Sequence, residues 1–151
     1  MSFFKRTIRN VPIDNKTVLV RADYNVPQNS TGGISDDLRI RASLPTIEYL
    51  LKHHCKVVIM SHLGRPEGRE QKYTLKPVAD RLSELLDKKV VFVDDCIGDK
   101  VVQAVKKAPK NSIILLENLR IILKKKLMMK LLLKKSLKVP AHVTLFKMVL
   151  V

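Results

Sequence analysis

The sequence predicts an α/β fold, a mostly parallel sheet with helices on both faces in three layers. Three observations carry that expectation. Short β-branched runs recur around Val18, Val58, Val91 and Ile114. Between them lie stretches whose apolar residues follow helical spacing, and strands alternating with helices close into a parallel sheet. The polar residues with the most chemistry follow the runs, at the carboxyl ends of strands, where open α/β sheets hold ligands.

Taken in order, Lys16–Arg21 is a β-branched run and predicts a buried strand. Asp23 to Gly33 is rich in turn formers, with Asn25, Pro27, Asn29, Ser30, Gly32 and Gly33. Arg39 to His54 places Ile40, Leu44, Ile47, Leu50 and Leu51 on one helical stripe, with Pro45 near its start. Lys56–Met60 is a second strand, followed by the Gly/Pro-containing loop Ser61–Pro66. Thr74 is the expected N-cap of a helix through Leu86, with Pro77 tolerated in the first turn and Leu75, Val78, Leu82, Leu85 and Leu86 facing inward. Lys89–Val93 is a third strand, Ile97 to Lys107 a short helix and Ser112–Leu116 a fourth strand.

The chain has 151 residues, the size of one domain with a sizeable core. Its net charge of +15 is unevenly spread: eight lysines and no carboxylate lie in residues 121–151, which leaves +7 upstream. Nucleic acid, a membrane surface or a small anionic metabolite would each suit a basic chain, so charge alone does not choose among them. Cys55 and Cys96 lack Cys-x-x-Cys spacing and predict neither a disulfide framework nor a metal site. The first residues do not read as a signal peptide and no apolar run reaches membrane-spanning length, so a cytoplasmic location is expected.

The strand ends hold Arg21, Asp23 and Asn25 after the first run, His62 and Arg65 after the second, and Glu117, Asn118 and Arg120 after the fourth. Arg39 opens the first helix on the same edge. Guanidinium forks match carboxylate and phosphate oxygens, so their convergence points to a doubly anionic small molecule. Taken singly, each of these arginines also fits a solvated surface residue, and His62 a hydrogen-bonded structural histidine. No P-loop, Gly-x-Gly-x-x-Gly or nucleophile elbow is present, so no nucleotide fingerprint is read. The carboxylate pairs Asp36–Asp37 and Asp94–Asp95 read as caps and surface charges.

Four motifs resemble the phosphoglycerate kinase family. Val20-Arg-Ala-Asp-Tyr-Asn-Val-Pro27 is similar to its first-strand motif, with Tyr24 where Phe is usual. Ile34 to Ile47 resembles the segment carrying its substrate arginine, and Ser61-His-Leu-Gly-Arg-Pro66 and Leu115-Leu-Glu-Asn-Leu-Arg120 resemble two further signatures. The resemblance covers nearly all of residues 1–120. It implies a Rossmann-like, incomplete N-terminal domain of a two-domain kinase that transfers a phosphoryl group between 1,3-bisphosphoglycerate and ADP, giving 3-phosphoglycerate and ATP. It further implies that Asp23 and Asn25 contact the glycerate hydroxyl and carboxylate end, supported by Arg21. The resemblance also implies that His62, Arg65 and Arg120 hold the non-transferred phosphate, that Leu63 and Gly64 belong to the substrate-binding site, and that Arg39, the one catalytic assignment, lies nearest the transferring group. MgATP or MgADP binds a separate domain in the family, so a nucleotide site is not expected in this chain. A monomer is expected, binding neither nucleic acid nor membrane.

Residues 121–151 depart from the family pattern and are read as a lysine-rich, frameshifted tail. Met128-Met129-Lys130 requires ATG-ATG-AAR, which two bases later encodes Asp-Glu, the start of the family's acidic helix. The same offset over Lys147–Val151 forces a Gly and permits Asp-Gly-Phe-Gly. On this reading the chain lacks the last strands of its sheet, does not turn over and is poorly soluble. The competing reading is a stand-alone anion-binding module with a basic tail for membrane or nucleic acid.

Overall fold

The computed structural model describes residues 7–122 and 143–145. Five strands form one parallel sheet: β1 (Thr17–Arg21), β2 (Lys56–Met60), β3 (Val90–Val93), β4 (Ile113–Leu116) and β5 (Val143–Leu145), in the order β3-β4-β2-β1-β5. Four helices join them: α1 (Leu38–Lys52), α2 (Lys76–Leu86), α3 (Asp99–Lys107) and the single turn α4 (Leu119–Ile122).

Alternation along each strand builds two cores, because successive side chains point to opposite faces. Val18, Val20, Val57, Ile59, Ile113 and Leu115 face one side, where Ile40, Ile47 and Leu50 of α1 and Val78, Ala79 and Leu82 of α2 cover them. Leu19, Val58, Met60, Ile114 and Leu116 face the other, with Val101 of α3 and with Leu119. The near-continuous apolar strands are thus explained: both faces are buried.

Every predicted strand and helix of residues 7–120 forms, with shifts at three points. Pro45 lies in the middle of α1 rather than at its start, so the Arg41 carbonyl loses its usual intrahelical donor. The N-cap of α2 is Leu75, one residue after the expected Thr74. Thr74 donates its hydroxyl to Glu117 at 2.8 Å while accepting from the Lys76 N–H at 3.3 Å. Third, β1 is not an edge. Residues Val143–Leu145, inside the segment read as foreign to the sheet, pair with Thr17–Leu19 in parallel. The amphipathic stretch expected at 124–135 and the frame-offset site at 147–151 lie outside the described residues.

Candidate functional site

All strands run parallel, so Arg21, Asp23, Asn25, His62, Arg65 and Arg120 leave the sheet on one edge, beside the start of α1. Ser61 pins the floor. It is 1% exposed, donates its hydroxyl to the Ala22 carbonyl at 2.8 Å and accepts the Tyr24 N–H at 2.9 Å, while its carbonyl accepts the Leu119 N–H at 3.1 Å. One serine therefore ties together the loops after β1, β2 and β4.

The Gly64 peptide is the second junction. Its N–H donates to Asn25 Oδ1 at 2.8 Å and its carbonyl accepts from the Arg120 guanidinium at 2.6 Å. Gly64 has φ +60°, and a Cβ there would stand 2.3 Å from the Tyr73 ring, so only glycine lets the backbone pass beneath that ring. Leu63 joins through its backbone alone: its side chain is buried in the core, and its carbonyl accepts from Asn118 Nδ2 at 2.7 Å.

The charged groups meet over this floor. Arg39 donates to Asp23 Oδ2 at 2.7 Å, Asp23 Oδ1 accepts the Asn25 N–H at 3.0 Å, and His62 Nε2 lies 4.0 Å from the same oxygen. Burial, then the positive charge of Arg120, lowers the His62 pKa below its ordinary 6.5; Arg21 and Arg39 add to this and Asp23 opposes it. Arg21 and Arg39 therefore join Arg120 around one half-buried imidazole. Arg65 is exposed and has no ion-pair partner among the described residues.

Two strand-end residues are architectural instead. Glu117 is buried, and its carboxylate accepts from Thr74 Oγ1 at 2.8 Å, the Leu75 N–H at 2.9 Å and the Asn118 N–H at 2.7 Å, fastening the start of α2 to the end of β4. Asn118 is fully buried, and besides Leu63 it holds the Tyr73 carbonyl at 2.9 Å. Asp36 accepts the Leu38 N–H at 2.8 Å and Asp95 the Cys96 N–H at 2.8 Å, but the expected caps do not form. Asp37 stands at the N-cap of α1 without a side-chain cap bond and pairs with Arg41 and Arg81, α3 is capped at Gly98, and Asp94 pairs with Lys100 as a surface charge. Ser61 and Tyr73 were not singled out by the sequence reading: a serine and a tyrosine in a loop carry no signal until their partners are known.

A separate open cleft of about 590 Å³ lies between Gly33–Asp37 and α2. Its arginines are already engaged, Arg81 with Asp37 at 2.8 Å and Glu84 at 2.6 Å, and Arg41 with Asp37 at 2.8 Å. The strand-end crevice differs in its balance. Asp23 is the carboxylate facing Arg39 and His62, while Arg21, Arg65 and Arg120 pair with no carboxylate among the described residues. Such a site is suited to hold an anion of more than one charge.

A family model described as phosphoglycerate kinase matches residues 8–142. The phosphoglycerate kinase of Aquifex aeolicus is 53% identical over 116 residues, which are 77% of this chain and 29% of that protein. The Hydrogenobaculum enzyme of the same name is 54% identical over 116 residues, again 77% and 29%. Among solved structures, phosphoglycerate kinase from Pyrococcus horikoshii matches with a TM-score of 0.69 at 38% identity, over 75% of this chain and 27% of that one. The Coxiella burnetii structure matches at 0.65 and 36% identity, over 76% and 28%. The chain thus spans under a third of the length of these relatives, and residues 8–142, which the family model matches, include the crevice. On the extent of the family match and the level of identity, the chain belongs to the phosphoglycerate kinase family.

Proposed function

We propose that the crevice holds 3-phosphoglycerate or 1,3-bisphosphoglycerate, as the glycerate-binding part of a kinase that transfers a phosphoryl group between 1,3-bisphosphoglycerate and ADP. The observation that carries this reading is the gathering of Arg21, Arg39, Arg120 and His62 around one edge of the sheet, with Asp23 as their internal counter-ion. Asp23 and Asn25 meet the glycerate hydroxyl and carboxylate end, with Arg21 behind them. His62, Arg65, Arg120 and the Leu63–Gly64 backbone hold the phosphate that stays. Arg39 leaves Asp23 to face the group that transfers. Once Arg39 turns to the ligand, Asp23 keeps the Asn25 N–H at 3.0 Å and gains the glycerate hydroxyl as a donor in place of the guanidinium. Phosphoryl transfer needs positioning and positive charge more than covalent work by the protein, and these groups supply both.

MgADP or MgATP is proposed to be bound by a different domain, since no nucleotide fingerprint occurs in these residues. The 151-residue polypeptide by itself then binds the glycerate ligand without turning it over, as a monomer in the cytoplasm. Calorimetry with 3-phosphoglycerate tests the binding, and a coupled ATP assay tests the turnover. Saturable, salt-sensitive binding that Arg120→Ala weakens at least tenfold is expected, with no ATP formed. Absence of binding by a folded chain overturns the reading, and ATP formation overturns the proposed inactivity.

Residues 121–151 are proposed to be read out of frame from about codon 121. Sequencing the gene from codon 115 onward tests this: a frame that continues the family is expected, and finding none in any offset rejects it.

A further inference from the structure

Tyr24 stands between Asp23 and Asn25, yet its side chain is 0% exposed and packs in the core beneath α1. A phenol there carries a hydroxyl that apolar surroundings leave unsatisfied. The hydroxyl lies 2.8 Å from Ser43 Oγ, and Ser43, 1% exposed, donates to the Ile40 carbonyl at 2.7 Å. With the serine proton so committed, the phenol is the donor. Burial pushes the Tyr24 pKa up to about 12, against the lowering effect of Ser43, so the phenol keeps the proton it donates.

Ser43 follows Arg39 by one helical turn, on the same face. This stretch of α1 is weak in its own hydrogen bonds. Pro45 has no N–H for the Arg41 carbonyl, and the Ser43 bond reaches back to the helix backbone, a pattern that bends helices. The other end of the bridge is fixed: the Tyr24 N–H is held by Ser61 Oγ at 2.9 Å and its carbonyl by the Val26 N–H at 2.8 Å. One side chain therefore joins the loop carrying Asp23 and Asn25 to the turn after Arg39. Asp23 and Arg39 close the same gap on the exposed side at 2.7 Å.

We propose that the Tyr24–Ser43 hydrogen bond is a latch that sets the first turns of α1, and with them Arg39, against the Asp23–Asn25 loop. Tyr24 and Ser43 are then positioning residues for the crevice, an inference that rests on the anion-binding reading above. When the Asp23–Arg39 pair opens to admit the ligand, the latch keeps the guanidinium in register.

Tyr24→Phe removes one oxygen and keeps the ring, and two measurements on the 151-residue chain test the proposal. In hydrogen exchange, the amides of residues 39–44 exchange faster in Tyr24→Phe while those of 47–52 do not; unchanged or uniformly raised exchange overturns the latch, ligand or no ligand. In calorimetry, 3-phosphoglycerate affinity falls about three- to tenfold in Tyr24→Phe but is not lowered further in an Arg39→Met background, where no guanidinium remains to be placed. Equal losses in both backgrounds mean that Tyr24 serves only the fold, which overturns the positioning role. Failure of the unsubstituted chain to bind overturns the anion reading instead, and the exchange pattern then decides the latch by itself.

Discussion

Gly64 holds a left-handed backbone between Asn25 and Arg120, under the Tyr73 ring. Gly64→Ala adds a methyl group where no space exists and strains the φ, so a loss of about 2 kcal/mol is expected in urea unfolding. Tyr73→Ala in the same chain should recover the steric part and leave the φ penalty. Glu117 offers a different failure: Glu117→Ala strips three donors of their acceptor in a buried place, and a loss of about 3 kcal/mol is expected by the same measurement. A surface-like response within 0.5 kcal/mol would contradict its architectural role. For His62 the sign follows from its lowered folded pKa. As pH falls through the ordinary value of 6.5, the unfolded chain takes up the proton first. The stability that neutral His62 contributes is therefore complete above that value, lost as pH falls below it, and level again once the folded imidazole protonates. Comparing unfolding at about pH 7.5 and about pH 5.5, the unsubstituted chain should lose more stability than His62→Gln, and equal losses would reject the assignment. The arginines and His62 were legible not singly but together, because several strand-end and helix-start positions fall on one edge of a parallel sheet. Ser61, Tyr73 and the Tyr24 hydroxyl were not, because each acts through a partner distant in sequence.

Elements were legible wherever periodicity was strong. The stripe predicted for α2 packs inward, with Leu75, Val78 and Leu82 buried and Leu85 and Leu86 partly so, and Leu82, 0% exposed, should cost about 3 kcal/mol when cut to Ala. Chemical denaturation checks this, and a cost below 1 kcal/mol would mean that the site collapses around the smaller side chain. Helix ends were less legible. Thr74 has the chemistry of a cap, but Glu117 takes its hydroxyl as a donor, and the helix starts one residue later. Pro45 is tolerated mid-helix because α1 is held from outside by core packing and by the Ser43–Tyr24 contact. Local propensity does not register either form of support.

At the scale of the molecule, the order β3-β4-β2-β1-β5 leaves β3 and β5 at the rims among the described residues and puts β1 inside. Removing residues 143–151 takes β5 away and exposes the peptide groups of Thr17–Leu19, so concentration-dependent self-association in light scattering is expected to rise. Unchanged association would show that this edge is not the adhesive one. The sequence by itself determined the layered α/β class, the first four strands and first three helices, and the edge on which the chemistry gathers. Alternation and helical spacing are local, and a parallel sheet sends every strand end to one side. The tertiary structure alone decided which strand-end residues bind one another. Asp23 finds Arg39, Asn25 and Arg120 share the Gly64 peptide, Glu117 turns inward to α2, and residues 143–145 join β1 despite their unfamiliar sequence. Those outcomes depend on distances between loops far apart in the chain, and on backbone hydrogen bonds that any side chain can accompany, so no local pattern of residues encodes them.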